Sequence, residues 1–192
     1  MSLPQPATLD SKSRYEPRLH VVLHQPEIAY NTGSVGRTCV AAHAKLWLVR
    51  PLGFRVDDYY LRRAGLDYWE RLDWEAVDDW SALVTALPTR RWLFAKRAER
   101  SFWDANFLPG DALVFGSESA GLPESLTQQH ADRLLRIPTS SDVRSLNLSN
   151  SVAVAVYEAL RQWQAGQSGY SRLTLRTLPV NIGEESSKKC LP

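Results

Sequence analysis

Residues 137–163 have the sequence IPTSSDVRSLNLSNSVAVAVYEALRQW, in which a strand end, a serine-rich loop and a long helix follow one another. The strand ends at Ile137-Pro138, and the helix opens around 147–149, where Asn and Ser side chains favour a helix N-terminus. Apolar side chains then recur along one broad stripe of the helix: Val152, Val156, Tyr157, Leu160 and Trp163. Core packing explains most of this stripe, and its width also leaves room for a subunit interface.

Apolar runs alternate with helical segments along the rest of the chain. The predicted strands are LHVVLH (19–24), KLWLVRP (45–51), RWLFAK (91–96), DALVFG (111–116) and RLLRIP (133–138). The predicted helices between them are TGSVGRTCVAAHA (32–44), DDYYLRRAGLDYW (57–69), WEAVDDWSALVTAL (74–87) and PESLTQQH (123–130). Strands with little polar alternation are typical of parallel sheets, so we predict an α/β fold with a mostly parallel sheet and helices on both faces.

The length and composition predict a single domain. A chain of 192 residues is long enough for one sizeable core, and we place the domain at residues 19–164. Residues 1–18 are predicted to be a flexible extension, and residues 165–192 a flexible tail, because neither stretch carries apolar periodicity. The net charge of +2 excludes a strongly basic nucleic-acid coat protein but allows a local basic groove.

Several patterns bear on compartment and metal binding. No apolar run approaches the ~20 residues needed to cross a bilayer, and the N-terminus lacks the apolar core of a secretory signal. Cys39 and Cys190 are too few and too far apart to predict a disulfide framework or a zinc site, so we expect a cytoplasmic protein. His20 and His24 alternate on one face of a strand without a third ligand, which favours surface histidines and no metal.

The common fingerprints of α/β enzymes are missing. No GxGxxG follows the first strand, and the chain has no GxxxxGK[ST]. The segment GSESAG (116–121) differs in spacing from the GxSxG elbow of hydrolases. A generic nucleotide-binding oxidoreductase remains an alternative, weakened by the missing glycine fingerprint.

Two of the predicted strands are followed by polar loops that are rich in glycine. In PEIAYNTGSVGR (26–37), Asn31 or Thr32 is expected to start the helix, and Arg37 to face the sheet from within it. The alternative there is an ordinary cap and a solvated arginine. In LVFGSESAGLPESL (113–126), two glycines flank Glu118, either to bring backbone close to a ligand or simply to turn the strand into a helix.

A third polar loop precedes the last helix. Ser145 and Asn147 either hold the polar atoms of a ligand or serve as ordinary caps. All three loops follow predicted parallel strands, and ligands bind at the carboxyl ends of the strands in open α/β sheets. The sequence therefore predicts a binding site where the three loops converge.

The segments NTGSVGR, FGSESAGLP and IPTSSDVRSLNLSNSVAVAVYEA, in that order, resemble the signature motifs of the SPOUT superfamily of trefoil-knotted RNA methyltransferases. With PEIAYNTG and LRRAGLDYW, the chain is similar to the small enzymes of that family that methylate the wobble ribose of leucine tRNAs, at position 34. The resemblance covers about residues 19–164 and implies S-adenosylmethionine as methyl donor, no metal, a deep trefoil knot near the C-terminus, a homodimer and the tRNA anticodon stem-loop as partner.

The resemblance also implies roles for individual residues. Carried over position by position, it implies a reaction site made of Arg37, Asn31, Glu118, Ser145 and Asn147. It implies cofactor contacts, mainly through backbone groups, at Lys96, Gly116, Ile137 and Ser145. Lys96 departs from the family, in which this position is apolar, and His43 stands where a glycine is more usual.

Arg37 is implied to lie nearest to the ribose hydroxyl proton. Because a guanidinium is a poor base, we expect it to act with an RNA phosphate, so that the proton leaves to the phosphate or to water. Further cations are expected to contact RNA phosphates: Arg62, Arg63, Arg97 and Arg144, with Arg90, Arg91, Lys96 and Arg100 completing a basic rim. Tyr30 and Trp103, in predicted loops, are candidates for stacking on a flipped base.

Alternatives to the wobble methyltransferase remain. One is a knotted RNA-binding or ribosome-assembly module without catalysis, and the residues that argue against it are Asn31, Arg37, Glu118, Ser145 and Asn147. Another is a 2′-O-methyltransferase that acts at a different RNA site.

Overall fold

The computed structural model describes residues 19–55 and 69–165, and its centre is a parallel sheet. The six strands are β1 (Leu19–His24), β2 (Ala44–Val49), β3 (Trp74–Val77), β4 (Arg91–Phe94), β5 (Ala112–Phe115) and β6 (Leu134–Leu135). Their order is β3-β2-β1-β5-β4-β6, and every neighbouring pair is parallel. The predicted parallel α/β sheet is therefore confirmed.

Helices cover both faces of this sheet. They are α1 (Ala29–Ala42), α2 (Trp80–Ala86), α3 (Glu124–Gln129) and α4 (Leu148–Ala165), with 3-10 turns at Trp69–Arg71, Phe102–Asp104 and Ala131–Arg133. On one face α1 and α4 pack against each other and bury side chains such as Val35 and Val152. On the other face α2 and α3 contribute Leu83 and Leu126 to a second core. The prediction of helices on both faces is confirmed.

The central strand β1 shows why the sheet forms. Leu19, Val21 and Leu23 point into the core beneath α1 and α4, whereas Val22 points into the core on the opposite face. All four are fully buried, which explains the absence of polar alternation that the sequence shows. Residues 19–24 pair along their whole length with β2.

The prediction of one helix over residues 74–87 is wrong. Trp74–Val77 instead form β3, which pairs in register with Leu46–Val49 of β2. The helix begins only at Trp80, because the Asp79 side chain accepts a hydrogen bond from the backbone N–H of Ala82 at 2.8 Å and caps it. Pairing with an exposed strand edge outweighs the helical propensity of this short segment.

The prediction that His20 and His24 are surface residues is wrong, because both side chains are packed within the fold. His24 is buried, and its burial lowers its pKa below the usual value. His20 is half-buried and accepts a hydrogen bond at Nδ1 from Trp47 Nε1 at 3.1 Å, and burial together with the nearby Lys45 charge lowers its pKa to about 4. Both side chains face the α2–α3 side of the sheet and form part of the packed structure.

After the edge strand β6, the chain crosses back to the middle of the sheet, where α4 packs. β6 is a two-residue strand, shorter than predicted, and residues 136–147 connect it to α4, which packs on α1 and contacts β5. The trefoil knot stays a prediction. The predicted tails and residues 57–68 of one predicted helix lie outside the described residues, and no helix within the described part of the chain is long and apolar enough to span a membrane.

Candidate active site

The buried side chain of Asn31 joins the three polar loops. Its Nδ2 donates to Glu118 Oε1 at 2.9 Å, and its Oδ1 accepts from Asn147 Nδ2 at 3.0 Å. Asn31 follows β1, Glu118 follows β5, and Asn147 follows the connection from β6. The loops therefore converge at the carboxyl ends of the strands, here called the carboxyl edge, as the sequence predicts.

Glu118 binds the backbone just before α1. Its carboxylate accepts hydrogen bonds from the backbone N–H groups of Glu27 at 2.8 Å and Ile28 at 3.3 Å, in addition to that from Asn31. Backbone N–H groups at a helix start lack partners within the helix and favour negative charge. The prediction that Asn31 or Thr32 starts the helix is wrong: α1 begins at Ala29 after Ile28, and Glu118 from another loop binds the two backbone N–H groups just before it.

Glu27 in turn accepts hydrogen bonds from the loop that carries Glu118. The sequence analysis did not identify Glu27 as a site residue. Its carboxylate accepts from the backbone N–H of Ser119 at 3.1 Å and from Ser119 Oγ at 2.5 Å. Gly53 lies against the same turn, since a Cβ atom there would come within 2.6 Å of the Glu27 carbonyl oxygen. The only local signal for Glu27 is an acidic residue directly after a strand-ending proline.

The turn that carries Glu118 is closed on itself. Ser117 and Gly121 exchange backbone hydrogen bonds of 3.2 and 2.9 Å, and Gly121 has a φ of +74°. A Cβ atom on Gly116 would lie 2.0 Å from the backbone carbon of Gly121, so only glycine fits there. This packing against its own chain fixes the direction in which Glu118 points.

Asn147 both caps α4 and reaches the site. Its Oδ1 accepts from the backbone N–H of Ser149 at 2.9 Å and from Ser149 Oγ at 2.7 Å, while Nδ2 bonds to Asn31. The two sequence interpretations, cap and site residue, are therefore compatible. Ser145 is exposed two residues earlier and makes none of the hydrogen bonds of this network.

A cleft of about 490 Å³ opens between α1 and α4 beside this network. It is lined by Tyr30, Asn31, Ser34, Arg37, Thr38, Asn147, Ser149, Asn150 and Ala153. Arg37 lies inside α1, as predicted, and its exposed side chain lines the same cleft as the two asparagines. Tyr30, predicted in a loop, lies instead in the first turn of α1 and is 73% exposed.

The residues implied to bind cofactor follow three adjacent strands. Lys96 comes after β4, Gly116 after β5 and Ile137 after β6, so their backbones lie at neighbouring positions on the carboxyl edge. The β4 and β6 ends are tied together by the hydrogen bond from Ala95 N–H to the Leu135 carbonyl at 2.9 Å. Ile137 is half-buried against the main core, while the Lys96 side chain is exposed.

The predicted basic rim divides into two groups. Arg90 donates from Nε and Nη2 to the buried carboxylate of Asp111 at 2.8 and 2.6 Å, and Arg91 donates to backbone carbonyl groups, including that of Leu87. Both lie at the amino ends of the strands, opposite the candidate site, and both are held by contacts within the fold. Asp111 raises the pKa of Arg90 by hydrogen bonding, and burial lowers that of Arg91.

The other predicted RNA contacts lie elsewhere. Lys96, Arg97 and Arg144 are exposed, on segments that leave the carboxyl edge. Arg62 and Arg63 lie outside the described residues. Arg100 donates to the backbone carbonyl of Asp104 at 2.6 Å, and Trp103 belongs to a 3-10 turn. No group of three or more potential metal-ligating His, Cys, Asp or Glu residues occurs within residues 19–55 and 69–165.

Comparison with known proteins gives consistent similarities. The model of the SpoU rRNA Methylase family matches residues 18–157. A tRNA (cytidine(34)-2′-O)-methyltransferase from Burkholderia cenocepacia is 48% identical over 147 residues, which cover 74% of this chain and 94% of the relative. A solved structure that concerns the 2-OH methylation of C/U34 on tRNA is 46% identical, with a TM-score of 0.73, and the match covers 78% of this chain and 99% of that one.

A more distant structure shares the fold. The SpoU methyltransferase AviRb from Streptomyces viridochromogenes, solved in complex with the cofactor AdoMet, is 24% identical with a TM-score of 0.70. The match covers 79% of this chain and 60% of that one.

Proposed function

This chain belongs to the SpoU rRNA Methylase family, and from that premise we propose that it is an S-adenosylmethionine-dependent enzyme that methylates the ribose 2′-hydroxyl of nucleotide 34 in tRNA. Although the family name refers to rRNA, the relative that is 48% identical is named for position 34 of tRNA. The observation that carries the proposal is the buried Asn31 bridge, which joins Glu118 and Asn147 beside the cleft that Arg37 lines.

The residues present fit S-adenosylmethionine. Three neighbouring loops meet at the carboxyl edge, Ile137 offers a half-buried apolar side chain there, and Gly116 permits the close approach of the Gly121 backbone that shapes one of the loops. Bound there, the cofactor supplies an activated methyl group on a sulfonium. We assign Lys96, Gly116, Ile137 and Ser145 to its binding, with Lys96 acting through its backbone.

The chain's own contribution to the reaction is alignment and charge. Glu118 and Asn147, fixed by Asn31, hold the start of α1 and of α4 and thereby set the position of Arg37. The Arg37 guanidinium places positive charge beside the 2′-oxygen and an RNA phosphate, which favours loss of the hydroxyl proton to phosphate or water. Ser145 is assigned to positioning the ribose or cofactor.

A homodimer acting on the anticodon stem-loop of leucine tRNAs completes the proposal. Apolar side chains lie exposed on α4 and beside the start of α1, and a second copy would cover them: Ile28 (47% exposed), Val154 (41%) and Tyr157 (52%). Arg97 and Arg144 are assigned to tRNA phosphates, together with Arg62 and Arg63.

The decisive experiment is labelled methyl transfer to total tRNA from a strain that lacks this protein, followed by mapping of the modified nucleotide. We expect a 2′-O-methyl group at nucleotide 34 of leucine tRNAs. Methyl on a base, or on a ribose elsewhere, would contradict the assignment. Binding of RNA without transfer would instead favour a non-catalytic module.

Substitution of Arg37 tests the residue assignment. Arg37→Ala is expected to bind S-adenosylmethionine normally and to lower kcat about 100- to 1,000-fold, the usual loss when a group that stabilises developing charge is removed. Arg71→Ala, an exposed arginine near the amino end of β3, is the matched control. Full-rate methylation by the Arg37→Ala protein would remove Arg37 from the mechanism.

A further inference from the structure

We propose that a surface formed by Trp103, Arg97 and Arg136, here called the Trp103 surface, binds unpaired nucleotides that flank the methylated one in the tRNA. The inference rests on the proposed function, because it takes tRNA as the substrate. It adds a docking point separate from the cleft that Arg37 lines.

The backbone beneath Trp103 is fixed by neighbouring structure. Phe102 N–H donates to the Arg136 carbonyl at 3.0 Å, and Arg136 N–H donates to the Arg100 carbonyl at 2.9 Å. The Phe102 side chain is almost fully buried, and Ser101 Oγ accepts from the Trp103 N–H at 3.3 Å. This turn therefore fixes the backbone at Trp103, whose indole contacts the Phe102 ring while 64% of the side chain is exposed.

Cationic residues lie near this turn, either just before it in the chain or joined to it through backbone hydrogen bonds. Arg136 is joined to the turn through its backbone, and Lys96 and Arg97 lie on the exposed stretch just before it. These three side chains form no ion pair with any residue in the described part of the chain, whereas Arg100 is held by the Asp104 carbonyl and lies over the Trp92 ring. The nearby carboxylates are Glu99 and Asp104, so positive charge remains in excess.

An exposed indole beside unpaired cations matches single-stranded RNA. Every base has a face that stacks on an aromatic ring, and stacking surfaces that bind single strands combine such rings with cations for the backbone. Bases within a duplex are stacked on each other and do not offer a free face. The matching ligand is therefore a nucleotide of a loop, not of a stem.

The position of the surface fits such a loop. β6 lies three strands from β1 in the sheet, and the chain leaves both at the carboxyl edge. At roughly 4.8 Å per strand, the ends of β1 and β6, which lead to the Asn31 network and to Arg136, are about 14 Å apart. That span corresponds to about four nucleotides of a stacked strand at 3.4 Å each, so one loop can reach both places.

Binding of labelled tRNA at several salt concentrations tests the inference. Trp103→Ala is expected to weaken binding about 5- to 150-fold, the range for losing one base stack, without changing the dependence on salt. Trp103→Phe is expected to restore part of the affinity. Arg136→Gln is expected to lower the slope of log K against log salt concentration by about 0.7–0.9, because one phosphate contact is lost. Arg71→Gln, which lies away from the surface, is the control for both readouts.

Three further measurements separate the possible outcomes. All variants are expected to keep the wild-type melting temperature, affinity for S-adenosylmethionine and kcat at saturating tRNA, because the surface lies outside the reaction site. Trp103→Ala binding within twofold of wild type, with wild-type methylation intact, would overturn the inference alone. A wild-type protein that transfers no methyl group to tRNA would instead overturn the proposed function.

Discussion

The carboxamide of Asn31 explains why an asparagine occupies this buried position. Its nitrogen faces the Glu118 carboxylate, which only accepts hydrogen bonds, and its oxygen faces the Asn147 amide nitrogen, which only donates. An aspartate of the same shape would place a second carboxylate against Glu118. An aliphatic residue would remove the hydrogen bond donated to Glu118 and the one accepted from Asn147, at a cost of about 0.5–1.5 kcal/mol each.

Sequence reasoning located these residues but not their partners. Asn31, Glu118 and Asn147 stand out because each follows a predicted strand in a Gly- or Ser-rich loop. Their contacts join positions 87 and 116 residues apart, and no local pattern encodes which side chain meets which. The same limit explains why Asn31 was assigned to a local cap and why Glu27 was missed.

His43 offers a test of backbone strain at one residue. It ends α1 with a φ of +52°, a conformation that glycine adopts without steric cost. We expect His43→Gly to raise the free energy of unfolding by about 0.5 kcal/mol, since relief of the left-handed conformation exceeds the added freedom of the unfolded chain. Urea unfolding measures this change. His43→Ala shares the steric penalty, and an equal gain there would contradict the explanation.

At the scale of elements, apolar runs predicted the strands because burial on both faces requires them. β1, β2, β4 and β5 were all predicted within two residues of their observed bounds. β3 was missed because Trp74–Val77 adjoins a helix without a Gly or Pro between them. Residues 74–77 form a strand because they pair with the edge of β2, and this pairing is seen only in the assembled sheet.

The amino ends of β4 and β5 depend on one buried carboxylate. Asp111 accepts from Arg90, from Trp92 Nε1 at 3.0 Å and from the Leu108 N–H at 2.8 Å. Asp111→Asn would turn an amide nitrogen toward these donors and leave the Arg90 charge unpaired. We expect a loss of about 3 kcal/mol in the free energy of unfolding, the lower limit for breaking a buried ion pair.

Chemical denaturation measures that loss, and Asp104→Asn is the control, since Asp104 is exposed in a 3-10 turn. Equal midpoints for the Asp111→Asn and wild-type proteins would show that the network adds nothing to stability.

At the scale of the whole molecule, arginines at the two ends of the sheet differ in what they contact. Arg90 and Arg91 serve the fold at the amino ends, whereas Arg97, Arg136 and Arg144 are exposed on segments that follow the carboxyl edge. The net charge of +2 conceals this separation because it sums over the whole chain. Composition alone therefore does not reveal where an acidic polymer would bind.

The packed histidines predict how stability depends on pH. The pKa of His20 is about 4 in the folded protein and about 6.5 in an unfolded chain, so protons bind the unfolded state preferentially between these values. The contribution of His20 to the free energy of unfolding is therefore fully present above pH 6.5 and is lost as the pH falls toward 4. His24, whose pKa is also lowered by burial, acts in the same direction.

Urea unfolding at pH 7.5 and pH 5 checks this dependence. We expect His20→Gln, which keeps an acceptor for Trp47, to lose less stability than wild type on acidification. Parallel curves for His20→Gln and wild type would rule out a contribution from His20.

The long sequence separations within the Asn31 network have a consequence for biosynthesis. Asn31 is made early by the ribosome, but Asn147, its last partner, is made 116 residues later. A growing or prematurely terminated chain that stops before α4 lacks one side of the network and one wall of the cleft. We therefore expect incomplete chains to lack methyltransferase activity, because the cleft forms only when α4 is in place.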